Sequence, residues 1–448
     1  MDAEASKLAE TSSDSVSSAF DHFSVPPTQT SVSRGKHELI QPTAGGSKTG
    51  KLEFIVPKAD GVYTDLANSF FEFDVRVFKA DNTNLSGTAA DVHVWPDENL
   101  AHSLFEKVTV AINDQDVEYF SNYNVWAYVH NRLNYDKGTL NSTLRATSGW
   151  FAEDDDIARD TDERTVAHIA RRKGLVSSSK TLSFCTRLRS SFLTNELYLF
   201  PGSKVTITLS RADVSVALSG DADAPAGGAV ISIETASFYA YRLKANASLL
   251  NAQVERVLGG DRVKYPERRV KTRVHLLVKG ETSASIPLAE TSQRPSRVLL
   301  AMTHADAATG HFAKSAYKFE PFDVTSISCN VEGLGDSIEY RTNFTSGQGL
   351  SRPYCELAKL VGRFESDHAF PVTFDEWKTR TTIWPFDLSE DKNRNGSTLQ
   401  LVKRGRLSFN IRFGTPLPEN VSVHIITEQD DIIETGLDNR ITTRVPVL

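Results

Sequence analysis

The stretch MTHADAATGH, residues 302–311, sets His304, Asp306 and His311 close together. Imidazoles and carboxylates are ligand types that zinc accepts from a rigid tetrahedral scaffold. The His-Glu-x-x-His spacing that puts two imidazoles on one helical face is absent, so a structural or surface role is expected for all three. Glu153-Asp154-Asp155-Asp156 offers carboxylate oxygens to calcium, but no Gly-containing loop of the EF-hand kind frames it. It reads as a solvated loop, and Asp221 and Asp223 in SGDADAPAGG read as a surface turn. Cys185 lies in strand-like TLSFCTRL with no partner motif, so a buried thiol is expected rather than a nucleophile. The glycine-rich stretches 333–335 and 347–349 do not continue into the Gly-Lys-Ser/Thr of a phosphate-binding loop. Arg171-Arg172-Lys173 reads as a solvated charge run. Trp95, Trp126, Trp150, Trp377 and Trp384 could floor a sugar site beside paired carboxylates. Spacing alone places no two carboxylates at the required separation, and the tryptophans read as core and interface anchors. No catalytic, cofactor-binding or metal-ligating residue is nominated, and no cofactor.

The surrounding chain supports that restraint. At 448 residues it exceeds one ordinary core, since roughly 100–200 residues make a domain. Lys and Arg total 50 against 57 Asp and Glu, a net charge of −7. Coating nucleic acid needs the opposite balance, so no sequence-specific nucleic-acid partner is expected. Cys185, Cys329 and Cys355 are far apart and form no Cys-x-x-Cys pair. An odd count without a secretion signal fits reduced, buried thiols made in a cytosolic or nuclear compartment. No run of 18 apolar residues occurs, so no transmembrane segment is expected. Asn-x-Ser/Thr triplets at Asn84, Asn141, Asn246, Asn343, Asn395 and Asn420 then read as chance matches.

The elements are mostly strands. Residues 1–47 are rich in Ser, Thr, Ala and acids and read as a flexible arm. From residue 51 the dominant period is two. Phe71, Phe73, Val75 and Val77 alternate with Glu72, Asp74 and Arg76, and KVTVAIND and KVTITLS repeat the pattern. Near the end, Leu407, Phe409, Ile411 and Phe413 precede a Gly-Thr-Pro-Leu-Pro turn, after which Val421, Val423 and Ile425 alternate again. That combination predicts a hairpin with one apolar side. Long polar loops are expected over 80–99, 136–181 and 217–228. Valines and leucine at 125, 129 and 133 predict a helix over 121–134, capped by Ser121 or Asn124. A second helix is expected over 248–260, with Leu250, Val254, Val257 and Leu258 as its stripe, Ser248 as cap and Gly259-Gly260 as stop. Residues 352–379 are more helical, and further strands follow to the end. The two halves share a plan, which predicts an all-β chain of two tandem jelly-roll sandwiches with short inserted helices and long loops. The boundaries expected are an arm at 1–47, a first barrel at 48–247, a helical linker at 248–265 and a second barrel at 266–448.

Several stretches carry more than pattern. LANSFFEFDVRVFKAD with NLAHSLFEKVTVAINDQDVE, YNVWAYVHNRLNYDKG and ANASLLNAQVERVLGGDRVKYPERRV resemble the first barrel, the Tyr-containing helix and the linker of double jelly-roll major capsid proteins. RPSRVLLAMTHADAATGH fits a strand pattern of that family at Pro295, Arg297, Asp306-Ala307 and Gly310. TTIWPFDLSEDK and GRLSFNIRFGTPLPENVSVHIITEQDDIIE are similar to its closing element. The group resembled is that of Polinton/Maverick elements and adintoviruses, with hexon as a distant cousin. The resemblance spans about residues 50–440, and the 136–181 loop stands outside it. It implies a structural protein without enzymatic activity. Homotrimers would tile an icosahedral shell around double-stranded DNA, with neighbouring capsomers and a separate penton protein as partners. It also implies location in the virion capsid after synthesis in the host cytoplasm, with nuclear assembly as an option. The alternatives are a host-domesticated jelly-roll binding protein and a carbohydrate-active jelly-roll enzyme.

Overall fold

The computed structural model describes residues 11, 15, 17–43, 50–151, 163–221, 228–288, 293–331, 337–390, 392, 399–436 and 440–443, with side chains of the helix that begins at 163 described from 169 onward. Glu153–Asp156, Asp223 and Gly333–Gly335 lie outside the described residues.

Apart from a two-stranded ribbon of Val94–Pro96 with Leu218–Gly220, eight strands among the described residues build the first half: β1 Val32–Ile40, β2 Lys51–Val56, β3 Val62–Lys79, β4 Phe105–Ile112, β5 Gln115–Phe120, β6 Leu182–Thr186, β7 Val205–Arg211 and β8 Ala229–Ala245. They form two antiparallel sheets, ordered β1-β8-β3-β6 and β2-β7-β4-β5. The second half repeats this with β9 Val263–Leu277, β10 Ser283–Leu288, β11 Arg297–His304, β12 Val324–Val331, β13 Ser337–Arg341, β14 Ile383–Asp387, β15 Leu407–Phe413 and β16 Val421–Thr435. Its sheets run β9-β16-β11-β14, with Ile441–Thr442 paired beside the end of β16, and β10-β15-β12-β13. Numbered within each half, both read 1-8-3-6 over 2-7-4-5. In such a pair the first and last strands lie side by side, and each turn between sheets carries the chain across the core. That is a jelly roll, twice.

The period-two strands supply the filling. Phe71, Phe73, Val75 and Val77 of β3 are buried opposite Phe54, Val108, Val110 and Ile207 of the facing sheet. Each such side chain is worth about 1.5–3 kcal/mol on burial. Sheets with one apolar face must be covered, and here each covers the other.

Two expectations about the strands change. Leu407–Phe413 and Val421–Thr435 are not a hairpin: β15 pairs with β10 and β12, whereas β16 pairs with β9 and β11. The Pro-containing turn is a crossing between sheets, so the two apolar faces meet across the core. Residues 32–40, expected within the arm, form β1 against β8. This edge strand is held by main-chain bonds and buries little, so its side chains carry no alternating signal.

Helices fill the gaps. We label α1 Tyr123–Asn134, α2 Glu163–Val176, α3 Ala247–Leu258, α4 Ser351–Leu360 and α5 Phe374–Thr379. α1 starts after Asn122, which makes no side-chain cap; the Ser121 hydroxyl instead donates to the Thr272 carbonyl at 2.9 Å. α3 is capped by Asn246, whose side chain accepts from the Ser248 N–H, and Gly259 closes it. Of its expected stripe only Val257 is buried, and Leu258 is exposed. The 136–181 region is largely helical where described, with α2 and short turns from Lys137 to Ser148. No helix among the described residues is long and apolar enough to cross a membrane.

Candidate functional site: the seam between the barrels

α1 sits where the two barrels meet. A surface helix shows one apolar face, but ten of the twelve α1 residues are buried, the mark of a helix covered on all sides. Tyr128 stacks on Trp150 of the first half (centroids 5.2 Å apart) and on Tyr317 of the second (4.8 Å), with Phe319 edge-on at 5.9 Å. Arg132, one turn further along, donates to Glu376 of α5 at 2.7 Å. Glu376 also closes a capping box with Thr373, so one carboxylate both starts α5 and ties it to α1.

Charge continues along the seam in two buried clusters. In the first, Asp97 and Glu98 face Arg172 at 3.8 and 3.9 Å, and Arg380 of the second half reaches Glu98 at 3.4 Å. Burial pushes the Glu98 carboxyl up, but Arg380, Arg172 and Arg132 outweigh it and hold it below the ordinary range. Burial raises Asp97, despite Arg172; the Ser315 hydroxyl donates to it at 2.8 Å. In the second cluster, Glu118 of β5 accepts from the Ser190 hydroxyl and from the Ser191 N–H and hydroxyl. Across the seam Arg269 of β9 donates to Glu267 at 3.0 Å and Asp431 at 2.6 Å. Ser191 spans the two halves, with its hydroxyl 3.4 Å from Glu267. Burial first, and then the Glu118 charge, push the Glu267 carboxyl well up; burial raises Glu118 too.

Here are the convergent carboxylates that spacing could not place, and they are no hydrolytic pair. Glu118, Glu267 and Asp431 are all buried, so no sugar reaches them. The β9–β16 register explains the grouping: Glu267 pairs with Asp431, and Arg269 stands beside it across from Gln429. β16 is buried on nearly every residue, because one face fills its own barrel and the other meets the neighbour. Polar residues on that second face break the alternation.

The other candidates resolve individually. His304 and Asp306 do come together, with Glu419 rather than His311. The Lys314 ammonium lies 2.7 Å from both Asp306 and Glu419, so the cluster carries its own cation; His311 accepts from the Ala313 N–H instead. Arg172 is not part of a solvated run. It is buried and donates to the Pro96 and Phe151 carbonyls, while Lys173 pairs with Asp221 at 2.8 Å and lies over the Trp95 ring. Asp221 also meets His93 at 3.0 Å, so that turn is pinned. Hydropathy does not reveal this, because the polar letters of α2 read as loop. Cys185 is exposed, since its strand turns Phe184 inward; Cys329 is the buried thiol. All five tryptophans are buried, as core and seam anchors. Gly347 and Gly349 stand at positive φ in a tight turn.

Comparison with solved structures agrees on the architecture. A chain of the Sputnik virophage cryo-EM structure superposes with a TM-score of 0.62 at 10% identity, covering 100% of this chain and 95% of that one. The fold is the viral double jelly roll. The mavirus major capsid protein matches at 0.55 and 11% identity, over 99% of this chain and 97% of that one. The PBCV-1 virus capsid matches at 0.57 and 10%, over 94% and 98%. No family model matches the sequence. An uncharacterized protein of Caenorhabditis elegans, F54H12.2, is 23% identical over 331 residues, 72% of this chain and 75% of that one.

Proposed function

We propose that this chain is a major capsid protein of a Polinton-like or adintovirus-like element, working as a homotrimeric, pseudo-hexagonal capsomer. The observation that carries this reading is the repeated 1-8-3-6 over 2-7-4-5 order, welded by a buried polar seam into one rigid unit. Three such units present six barrels around an axis, which is the shape needed to tile a closed shell around a double-stranded DNA genome. Neighbouring capsomers and a separate penton protein complete the assembly, and the working location is the virion capsid. α3 and the residues up to the start of β9 at Val263 link the two barrels. The fitness for this work is mechanical. Charges in the seam are spent on fixing the barrel angle, and the convergent carboxylates are closed to substrate, which disfavours a glycan-cleaving enzyme. The nematode relative favours a gene carried in animal genomes, and so a second reading: a domesticated copy that retains the fold as a binding module.

Static light scattering on the purified chain separates the two. The capsid reading predicts a species of three times the 49.5 kDa chain mass at micromolar concentration. A stable monomer under those conditions overturns it and leaves the binding module.

A further inference from the structure

Beside the C-terminal half of α3 lies an open groove with a cavity volume of about 380 Å3. Its floor is apolar and aromatic, formed by Tyr63, Leu197, Tyr198, Phe200 and Val257. Leu197 and Tyr198 are exposed. Arg256, Arg262 and Lys264 also line the groove; Asp261, the one acid among the lining residues, pairs with Arg256 at 2.8 Å, and Glu434 lies 3.9 Å from Lys264, which leaves the rim with a cationic excess. The N-terminal segment has the opposite character. Phe20, Phe23 and Val25 are 73%, 99% and 86% exposed, an apolar triplet that nothing among the described residues covers. Residues 1–31 contain Asp2, Glu4, Glu10, Asp14 and Asp21 against Lys7 alone.

We infer that the Phe20–Val25 segment of one copy docks in the α3 groove of a second copy. Apolar area and charge sign both match: three aromatic or aliphatic side chains for an aromatic floor, and acids for a basic rim. Where the arm leaves the barrel sets how far it can reach. The Asn246 N–H donates to the Ser31 carbonyl at 2.8 Å, which fixes the exit at the start of α3. From Ser31 to Phe23 the chain spans at most about 28 Å, and the groove lies about 16 Å along the helix. The chain's own groove is therefore within reach, yet Phe23 stays uncovered. Pro26 and Pro27 stiffen the intervening segment against turning back. The receiver is a neighbour, and the exchange joins chains through their arms.

This rests on the self-assembling reading above, and the test keeps the two apart. In a Cys185→Ser background, Phe23→Cys is combined with Leu197→Cys and oxidised mildly at micromolar concentration. The control pairs Phe23→Cys with Leu276→Cys, about 40 Å along β9 from Val263. Docking predicts interchain disulfide-linked species in excess of the control by on the order of tenfold or more, because seated thiols meet at raised effective concentration. An intrachain product of monomer mass overturns the exchange and assigns the groove to the chain's own arm. No product in a sample that light scattering shows to be trimeric overturns the inference and leaves the capsid reading standing. Interchain product in a sample without trimers upholds the arm exchange and removes the capsomer.

Discussion

Arg269 is the cation on which the second seam cluster depends, and its removal gives a sharp test. Arg269 is buried and serves Glu267 and Asp431, with Glu118 beyond Ser191. Arg269→Met keeps the length and most of the packing but strands three buried carboxylates. Breaking a buried ion pair on one side costs about 3–5 kcal/mol. At roughly 2–4 °C per kcal/mol for a unit of barrel size, the melting temperature falls by about 6–20 °C. Differential scanning fluorimetry at pH 7.5 and pH 5 reads it. The sign of the pH effect follows from the raised Glu267 and Glu118 carboxyls. The folded state holds protons that the unfolded state releases, so stability is greatest below the unfolded carboxylate range and declines as pH rises through the folded values. The Arg269→Met loss is therefore larger at pH 7.5 than at pH 5. Adding Glu267→Gln removes one stranded charge and restores part of the loss at pH 7.5. A melting temperature within about 2 °C of the parent at pH 7.5 would refute the assignment, because a cation worth under 1 kcal/mol is not holding three carboxylates together.

Other consequences are as direct. His424 is buried, and burial pushes its imidazole down to about 4. It must take up a proton when the chain unfolds in acid, so it contributes stability above the unfolded histidine range that is lost as pH falls toward 4. His424→Gln should flatten the acid limb of stability by about 3 kcal/mol between pH 6.5 and 4, read by urea midpoints. Trp377 is fully buried and donates its indole N–H to Ile383 at 3.1 Å; Trp377→Ala should cost about 3–5 kcal/mol in urea denaturation, and less than 1 kcal/mol would contradict its anchoring role. Native-state alkylation followed by peptide mapping should mark exposed Cys185 and spare Cys329, whose thiol burial pushes up to about 12. Zinc titration by calorimetry should give no binding heat at His304, Asp306 and Glu419, since Lys314 neutralises the carboxylates there.

Strands whose one face fills a barrel were legible because burial on alternate residues writes itself into alternate letters. Phe71 to Val77 and Leu407 to Phe413 are such cases. What alternation does not encode is the partner strand, and so the last two strands looked like a hairpin although they belong to opposite sheets. β1 was missed because an exposed edge strand is held by backbone bonds that leave no hydropathy trace. The seam was missed for a different reason. Its residues are polar because they satisfy one another across two barrels, and Glu118, Arg172, Glu267 and Asp431 each look like surface letters alone. Only the fold brings Glu118 to Glu267 across 149 positions of sequence, and nothing local announces it. The metal-like triplet shows the converse: His304 and Asp306 are close in both sequence and space, but the residue that decides their chemistry is Lys314.

The central claim is that two equivalent barrels in one chain form a third of a hexagonal tile. Cryo-electron microscopy of the purified, cross-link-stabilised protein measures this most directly. Class averages should show a six-lobed outline with three-fold symmetry, each chain supplying two adjacent lobes. Averages showing two-lobed single chains alone, at concentrations where light scattering has reached its plateau, would contradict it.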